Sequence, residues 1–441
     1  MKKTEITAKF RQHAKDSLSP TLSERALVSR VYESVQDVLG QRNCLLVGSY
    51  ARFTACRPLH DLDVLFIAGR FDPYNLNPSR TLSGVQQALQ QKFTNPTPYR
   101  IEISQQSHSV TISFLQNKEE QFAVDIVPAF TSGLTNEFGD DVYWVPEILT
   151  VSRRNRRSRY EEISRANRAE RQWWIKSDPR GYISAAAILN ERNNDFRKTA
   201  KLVKKWKHNC AEQDENFTLK SFHVEQALVG IFEANPRFDL FDAAFTFFCR
   251  IPEMIARAQI RDRADNTKFI DEYINALTEP QRQQIIKARD AFLIKLENFS
   301  EQSTVKNLLE AAFHTRASAS EKYLFDSEIP VLTERDAQLR VTGTLLARDG
   351  FRAGALDASG VVNIDRRITF TANLRGPYAA DLMKWKVKND NRSPQPRGEI
   401  TNHRTLNNPE RTLYNGSHYV ECFAIKDGVC IARGKQNVVL R

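Results

Sequence analysis

Two aspartates one residue apart, Asp61 and Asp63, open an otherwise apolar strand-like run, DLDVLFI, and a third, Asp125, stands alone within FAVDIVPAF. Side chains alternate along a strand, so Asp61 and Asp63 project to one face while Leu62 and Val64 go to the other. By the same alternation Asp125 faces away from Phe122, Val124 and Ile126. Carboxylates held a few ångströms apart repel unless protons or cations lie between them, and an acid inside so apolar a strand is costly unless it serves something. Divalent metal is the economical solution, and hard oxygen ligands suit Mg²⁺ or Mn²⁺, two ions in all.

Ahead of Asp61, with eleven residues between, the apolar run CLLV breaks at Gly48-Ser49, followed by YARFTA, a segment that could begin a helix. Glycine permits close approach of a phosphate, and a helix N-terminus offers free backbone N–H groups. Alone, a Gly-Ser pair or an exposed Asp-Leu-Asp is commonplace. The ordered set of strand, Gly-Ser, D-x-D and a later apolar strand with a single acid is far more specific than its parts.

At 441 residues, 41% of them hydrophobic, the chain has material for two or three domains with real cores. Residues 21–39 carry apolar side chains at helical spacing, with Thr21 or Ser23 as the cap and Gly40 as the stop. Strand-like runs follow: CLLVG, LDVLFI, RIEIS, SVTISFL and FAVDIVPAF, the last two joined by a polar turn. Between about 160 and 325 the pattern turns helical, in ISAAAILNERNNDFRKTAKLVKKWKHN, LKSFHVEQALVGIFEA and TEPQRQQIIKARDAFLIKLENF. Beyond 326, short alternating segments between Gly-, Pro- and Asn-rich turns predict a small antiparallel sandwich. The expected domains are therefore 1–160, 161–325 and 326–441.

The motif GSYARFTACRPLHDLDV, taken with VDIVPA, resembles the active-site signature of the polymerase-beta-like nucleotidyltransferases. The GSYARFT form resembles the bacterial relatives of cyclic GMP-AMP synthase and oligoadenylate synthase, the CD-NTases. LVKKWK at 202–207 and LKSFHVE at 219–225 are similar to two helices of the same enzymes. The resemblance implies an α+β fold: a polymerase-beta-like core, a helical second lobe completing the nucleotide cleft, and a C-terminal antiparallel β-sandwich. It also implies roles. Gly48 and Ser49 would bind the donor triphosphate, Asp61 and Asp63 would ligate both metals, and Asp125 would ligate the catalytic metal and help activate the attacking hydroxyl. Lys204 would reach the donor phosphates and Ser221 would line the nucleotide pocket. Residues 326–441, with MKWKVKN and ERTLYNGSHYVECFAI, resemble the adenylyl/guanylyl-cyclase-and-SMODS-associated sensor module (AGS-C) that accompanies some of these enzymes.

The implied activity is transfer of nucleotidyl groups from NTPs, ATP among them and dNTPs as an alternative, to make a cyclic or linear oligonucleotide. The implied context is bacterial anti-phage defence, with an effector protein reached through the nucleotide product. A nucleotidyltransferase acting on tRNA or on a protein hydroxyl, and a non-catalytic nucleotide sensor, stand as alternatives; the retention of all three acids argues against the last.

The formal net charge of +11 favours anionic partners without specifying a fold. Residues 153–171 hold eight arginines against three glutamates, a pattern that reads either as a nucleic-acid stripe or as a solvated junction helix with Glu161–Arg165 pairing. The N-terminus lacks a signal-peptide core and no segment approaches the ~20 apolar residues of a membrane span, so a cytoplasmic location is expected. The six scattered cysteines point to reduced thiols rather than disulfides or zinc. In the C-terminal region Trp385, Tyr414, His418 and Tyr419 could line a pocket, although aromatics in the strands of a small sandwich are more often core or cross-strand packing.

Overall fold

A computed structural model describes residues 1–148, 172–334, 336–348, 352–357, 359–402 and 409–441. The arginine-rich run 153–171 lies outside the described residues. By packing, the chain forms two compact units: Phe10–Ala244 with Pro252–Arg282, and Met1–Lys9 and Phe245–Ile251 with Gln283–Arg441.

Helix α1 (Lys3–His13) precedes α2 (Leu22–Leu39) of the first unit. Of the two candidate caps, Thr21 rather than Ser23 caps α2: its hydroxyl accepts from the Glu24 N–H, while the Glu24 carboxylate accepts from the Thr21 N–H at 2.7 Å. Val28, Val31, Val35 and Leu39 form the buried stripe, and Gly40, at φ +96°, ends the helix.

Strands β1 (Cys44–Val47), β2 (Asp61–Arg70), β3 (Arg100–Gln105), β4 (Val110–Gln116) and β5 (Glu119–Thr135) pair in the order β1-β2-β5-β4-β3. β6 (Asp141–Ile148) extends the sheet from β5 and β7 (Gln172–Ser177) from β6. The sheet is mixed, because β2 and β5 run parallel while their other neighbours are antiparallel. One face, with Leu62, Val64, Ile112, Phe114, Val124 and Ile126, packs against α2 and α4 (Pro78–Lys92) around Leu82, Val85 and Leu89. The opposite face holds a second cluster, Val47, Leu65, Ala129, Tyr143 and Val145. Strict alternation places Asp61, Asp63 and Asp125 on this second face.

The segment after Gly48 forms a single helical turn, α3 (Gly48–Ala51), and not the helix its composition allowed. Phe53 at φ +60° ends it, and the N–H groups of Thr54 and Ala55 return to the Ser49 carbonyl. So short a turn carries little macrodipole.

The helical run 183–209 is likewise divided, into α5 (Pro179–Arg192) and α6 (Phe196–Gln213). The Asn193 side chain accepts from the Asp195 N–H and donates to Phe238 O, satisfying the break. Helices α7 (Ser221–Ala234) and α8 (Leu240–Met254) follow, then α9 (Glu279–Glu297) and α10 (Val305–Leu309).

The second unit contains the expected sandwich. One sheet has the order β10 (Val361–Val362), β16 (Val429–Leu440), β15 (Gly416–Lys426), β12 (Leu382–Lys388) and β13 (Arg397–Thr401). The other runs β14 (Glu410–Arg411), β11 (Arg367–Arg375), β8 (Gln338–Leu345) and β9 (Gly354–Ala355). Leu339, Val341, Ile368, Phe370, Val420, Cys422 and Val438 meet between the sheets. The architecture is α+β, with the mixed-sheet core, the helices and the sandwich in the expected order. All six cysteines are free thiols, and among the described residues no helix is long and apolar enough to cross a membrane.

Candidate active site

The site is built on one cross-strand row. Val47 of β1 lies opposite Asp63 of β2, Asp63 opposite Asp125 of β5, and Asp125 opposite Thr111 of β4. Asp61 stands two residues from Asp63 on the same face, so the chain brings its three candidate acids together on adjacent strands.

Gly48 follows Val47 and faces the row directly. A Cβ built on it would stand 1.7 Å from Asp63 Oδ2, and its φ is +64°. Any side chain here must displace the carboxylate, which is a close-approach reason for glycine independent of phosphate binding.

Electrostatically the row is unbalanced. Burial, reinforced by the charges of Asp61 and Asp125, pushes the Asp63 carboxyl up to about 6, while Arg52 and Lys204 pull the other way. Burial also raises Asp125, against hydroxyl donation from Thr111 and from Ser109 at 3.3 Å, both to Oδ1. Among the described residues none of the three acids has a Lys, Arg or His within ion-pair distance. The donor set is thus three hard-oxygen carboxylates lacking direct counter-charge, which is the chemistry a divalent cation satisfies. It is not a closed cage: among the described residues no three acidic, His or Cys side chains converge tightly enough to encircle an ion.

A pH prediction follows from Asp63. Its folded value lies above its ordinary 3.8, so the folded state binds more protons between pH 3.8 and about 6, and stability falls as pH rises through that window. Asp63→Asn should therefore stabilise the metal-free protein by about 1–3 kcal/mol at pH 7.5 and by little at pH 4. Denaturant unfolding in EDTA at the two pH values measures this; an equal difference at both would refute it.

Across the cleft stand the helices. Lys204 on α6 and Glu225 on α7 form a buried pair, Lys204 Nζ donating to Glu225 Oε1 at 2.7 Å and to Thr54 O at 3.1 Å. Arg52 Nε donates to the other oxygen of Glu225 at 2.9 Å, and its guanidinium lies 5.1 Å from the Phe222 ring centroid. Burial would raise the Glu225 carboxyl, but Lys204 and Arg52 hold it down at about 2. Lys204 is buried and anchored by Glu225 and Thr54 at the wall of the cleft.

Ser49, Asp61, Asp63, Lys204, Ser221 and Glu225 all line one cleft of about 250 Å³, together with Arg52, His60, His208 and Phe222. Gly48 and Asp125 adjoin it through the cross-strand row. Ser221 is the first residue of α7. The Lys220 N–H before it donates to the Tyr273 hydroxyl at 3.0 Å, which in turn contacts buried His223. Neither Arg52 nor Glu225 is marked by residue type or spacing as part of the site. Both lie inside the motifs quoted above, but only a spatial pairing of residues 173 apart reveals what they do. Thr111 and Ser109 carried no signal at all.

Of the C-terminal aromatics, Trp385 belongs to the sandwich core, whereas Tyr414, His418 and Tyr419 line a cleft floored by Ile368, Phe370 and Val420. His418 Nδ1 lies 3.2 Å from the Asp390 N–H and Nε2 2.8 Å from Tyr414 O, the pattern of a neutral ring.

Residues 315–441 match the family model described as the Adenylyl/Guanylyl and SMODS C-terminal sensor domain. The chain is 26% identical over 202 residues to the cyclic AMP-AMP-AMP synthase of Escherichia coli (strain MS 115-1), covering 46% of this chain and 53% of that protein. It thus spans about half the length of the curated relative it matches. Among solved structures, E. coli MS115-1 CdnC with ATP aligns at 18% identity and TM-score 0.48, over 69% of this chain and 94% of that one. Elizabethkingia meningoseptica CdnE cyclic dinucleotide synthase with GTP and Apcpp aligns at 14% identity and TM-score 0.40, over 64% and 94%.

Proposed function

We propose that this chain, a relative of bacterial cyclic-oligonucleotide synthases ending in an Adenylyl/Guanylyl and SMODS C-terminal sensor domain, is a metal-dependent nucleotidyltransferase making an oligonucleotide second messenger from NTPs. The observation that carries this reading is the Asp61, Asp63 and Asp125 row beside the Gly48-Ser49 turn, facing a cleft lined by Lys204 and Ser221.

Asp61, Asp63 and Asp125 would hold two Mg²⁺ or Mn²⁺ ions. Such ions, when bound, neutralise triphosphate charge and make a ribose hydroxyl easier to deprotonate. Ser49 and the backbone of the Gly48 turn receive the phosphates of the donor, and the absence of a Gly48 side chain lets that turn approach Asp63. Lys204, locked by Glu225 and Thr54, places positive charge at a set position, so little reorganisation accompanies phosphate binding. Ser221 adds a hydroxyl to the opposite wall. Asp125, held by Thr111 and Ser109 through Oδ1, would help activate the attacking hydroxyl. The chain thereby orients an in-line displacement at the α-phosphorus, with pyrophosphate leaving. In its biological setting the product would switch on a separate effector during phage defence.

The test is mass spectrometry of products formed by the full chain with Mg²⁺ or Mn²⁺ and all four NTPs, then all four dNTPs. A phosphatase-resistant oligonucleotide with stoichiometric pyrophosphate is expected from the NTPs. Nucleotide binding without pyrophosphate release would replace this reading with that of a non-catalytic sensor.

A further inference from the structure

The solvent face of the four-stranded sheet in the C-terminal sandwich has an unusual composition. Its outward positions are Gln338, Arg340, Thr342 and Thr344 on β8, then Arg367, Thr369, Thr371, Asn373 and Arg375 on β11, and Arg411 on β14. Among the described residues of these strands no outward position carries a carboxylate or an aromatic ring. The one acid of the edge strand, Glu410, lies opposite Ile368 and is ion-paired with Arg397.

Within that face Arg367 and Arg411, both exposed, are directly opposed across the β11–β14 ladder. Like charges in that position destabilise a sheet unless an anion lies over them. The same pair borders a cleft of about 320 Å³ that also receives Arg348, Arg366 and Asp365. Arg348 engages Asp365, and the Arg366 guanidinium is positioned by the Leu346 carbonyl at 3.2 Å. Four guanidinium groups and one already matched carboxylate therefore meet at one end of a cationic face.

We infer that this sheet face is a docking surface for the phosphodiester backbone of duplex nucleic acid. Guanidinium forks match phosphate oxygens bidentately, and the interleaved Thr, Asn and Gln side chains are the neutral donors that accompany such contacts. Arg367 to Arg375 spans about 27 Å of extended strand, comparable to about eight phosphates along one duplex strand. Among the described residues the outward positions of these strands offer no aromatic platform for unpaired bases, which favours a duplex over a single strand and sequence-independent binding. The surface lies outside the nucleotidyltransferase cleft, so its test stands or falls independently of catalysis.

Binding of a fluorescein-labelled 20-base-pair duplex to the full chain, by anisotropy between 50 and 200 mM salt in EDTA, tests this. Arg340→Gln with Arg367→Gln and Arg411→Gln should weaken binding tenfold or more and reduce the slope of log K against log salt by about two to three. Arg30→Gln with Arg42→Gln, two exposed arginines of the other unit, should change binding less than twofold. Without nucleic acid the triple variant should unfold at or above the wild-type temperature, since it relieves the Arg367–Arg411 repulsion. Unchanged duplex affinity in the triple variant, or no binding by the wild type, overturns the inference. So does displacement of the duplex by tripolyphosphate or polyglutamate at lower charge-equivalent concentration than unlabelled duplex, which would identify a free polyphosphate or an acidic protein as the occupant.

Discussion

Replacing Asp61 and Asp63 together with alanine is expected to abolish pyrophosphate release, by about 10³-fold or more, in a protein that is as stable as the wild type or more so. The activity loss follows from the proposed role of the acids, since two of the three carboxylates that would hold ions over the reacting phosphates are removed, a stabilisation of several kcal/mol. The stability gain follows from the same geometry. Asp63 is held near other acids with its carboxyl pushed up to about 6, so its removal relieves strain in the metal-free fold at neutral pH. Pyrophosphate release and chemical denaturation, measured on one preparation, separate this outcome from simple misfolding. Turnover surviving in the double variant would remove the assigned role of the acids.

Glu225→Gln is expected to produce the largest stability loss, about 3–5 kcal/mol, because it strands Lys204 and Arg52 without counter-charge in a buried setting. Wild-type Glu225 is held down at about 2. Its contribution is therefore complete above the ordinary value of 4.5 and is lost as pH falls from there toward 2. Urea unfolding at pH 7 and pH 3 should show the variant's deficit shrinking at the lower pH. Arg52→Met with Lys204→Met and Glu225→Met should recover much of the lost stability, since apolar groups of similar size replace the whole triad. A Glu225→Gln protein as stable as the wild type would show that the triad is solvated rather than buried.

The same residues mark the boundary between what was legible in the chain and what was not. The α2 cap at Thr21 and Glu24, its Val28-Val31-Val35-Leu39 stripe and the alternation in LDVLFI and FAVDIVPAF are local patterns, set by periods of 3.6 and 2 and by a side chain reaching its own backbone. They are readable without knowing what packs where. The length of α3 and the break at Asn193 were not, because each is set by hydrogen bonds to Ser49 O and to Phe238 O that periodicity does not encode.

That Asp61 and Asp63 share a strand face, and that Asp125 points away from Phe122, Val124 and Ile126, was determined by sequence alone, since side chains alternate along a strand. That Asp63 and Asp125 sit opposite one another, that Gly48 must lack a Cβ because Asp63 occupies its space, and that Glu225 anchors Lys204 were decided only by tertiary structure. The reason is physical: those facts depend on strand register and helix docking between residues 15 to 173 positions apart, where burial and charge, not local propensity, choose the partner.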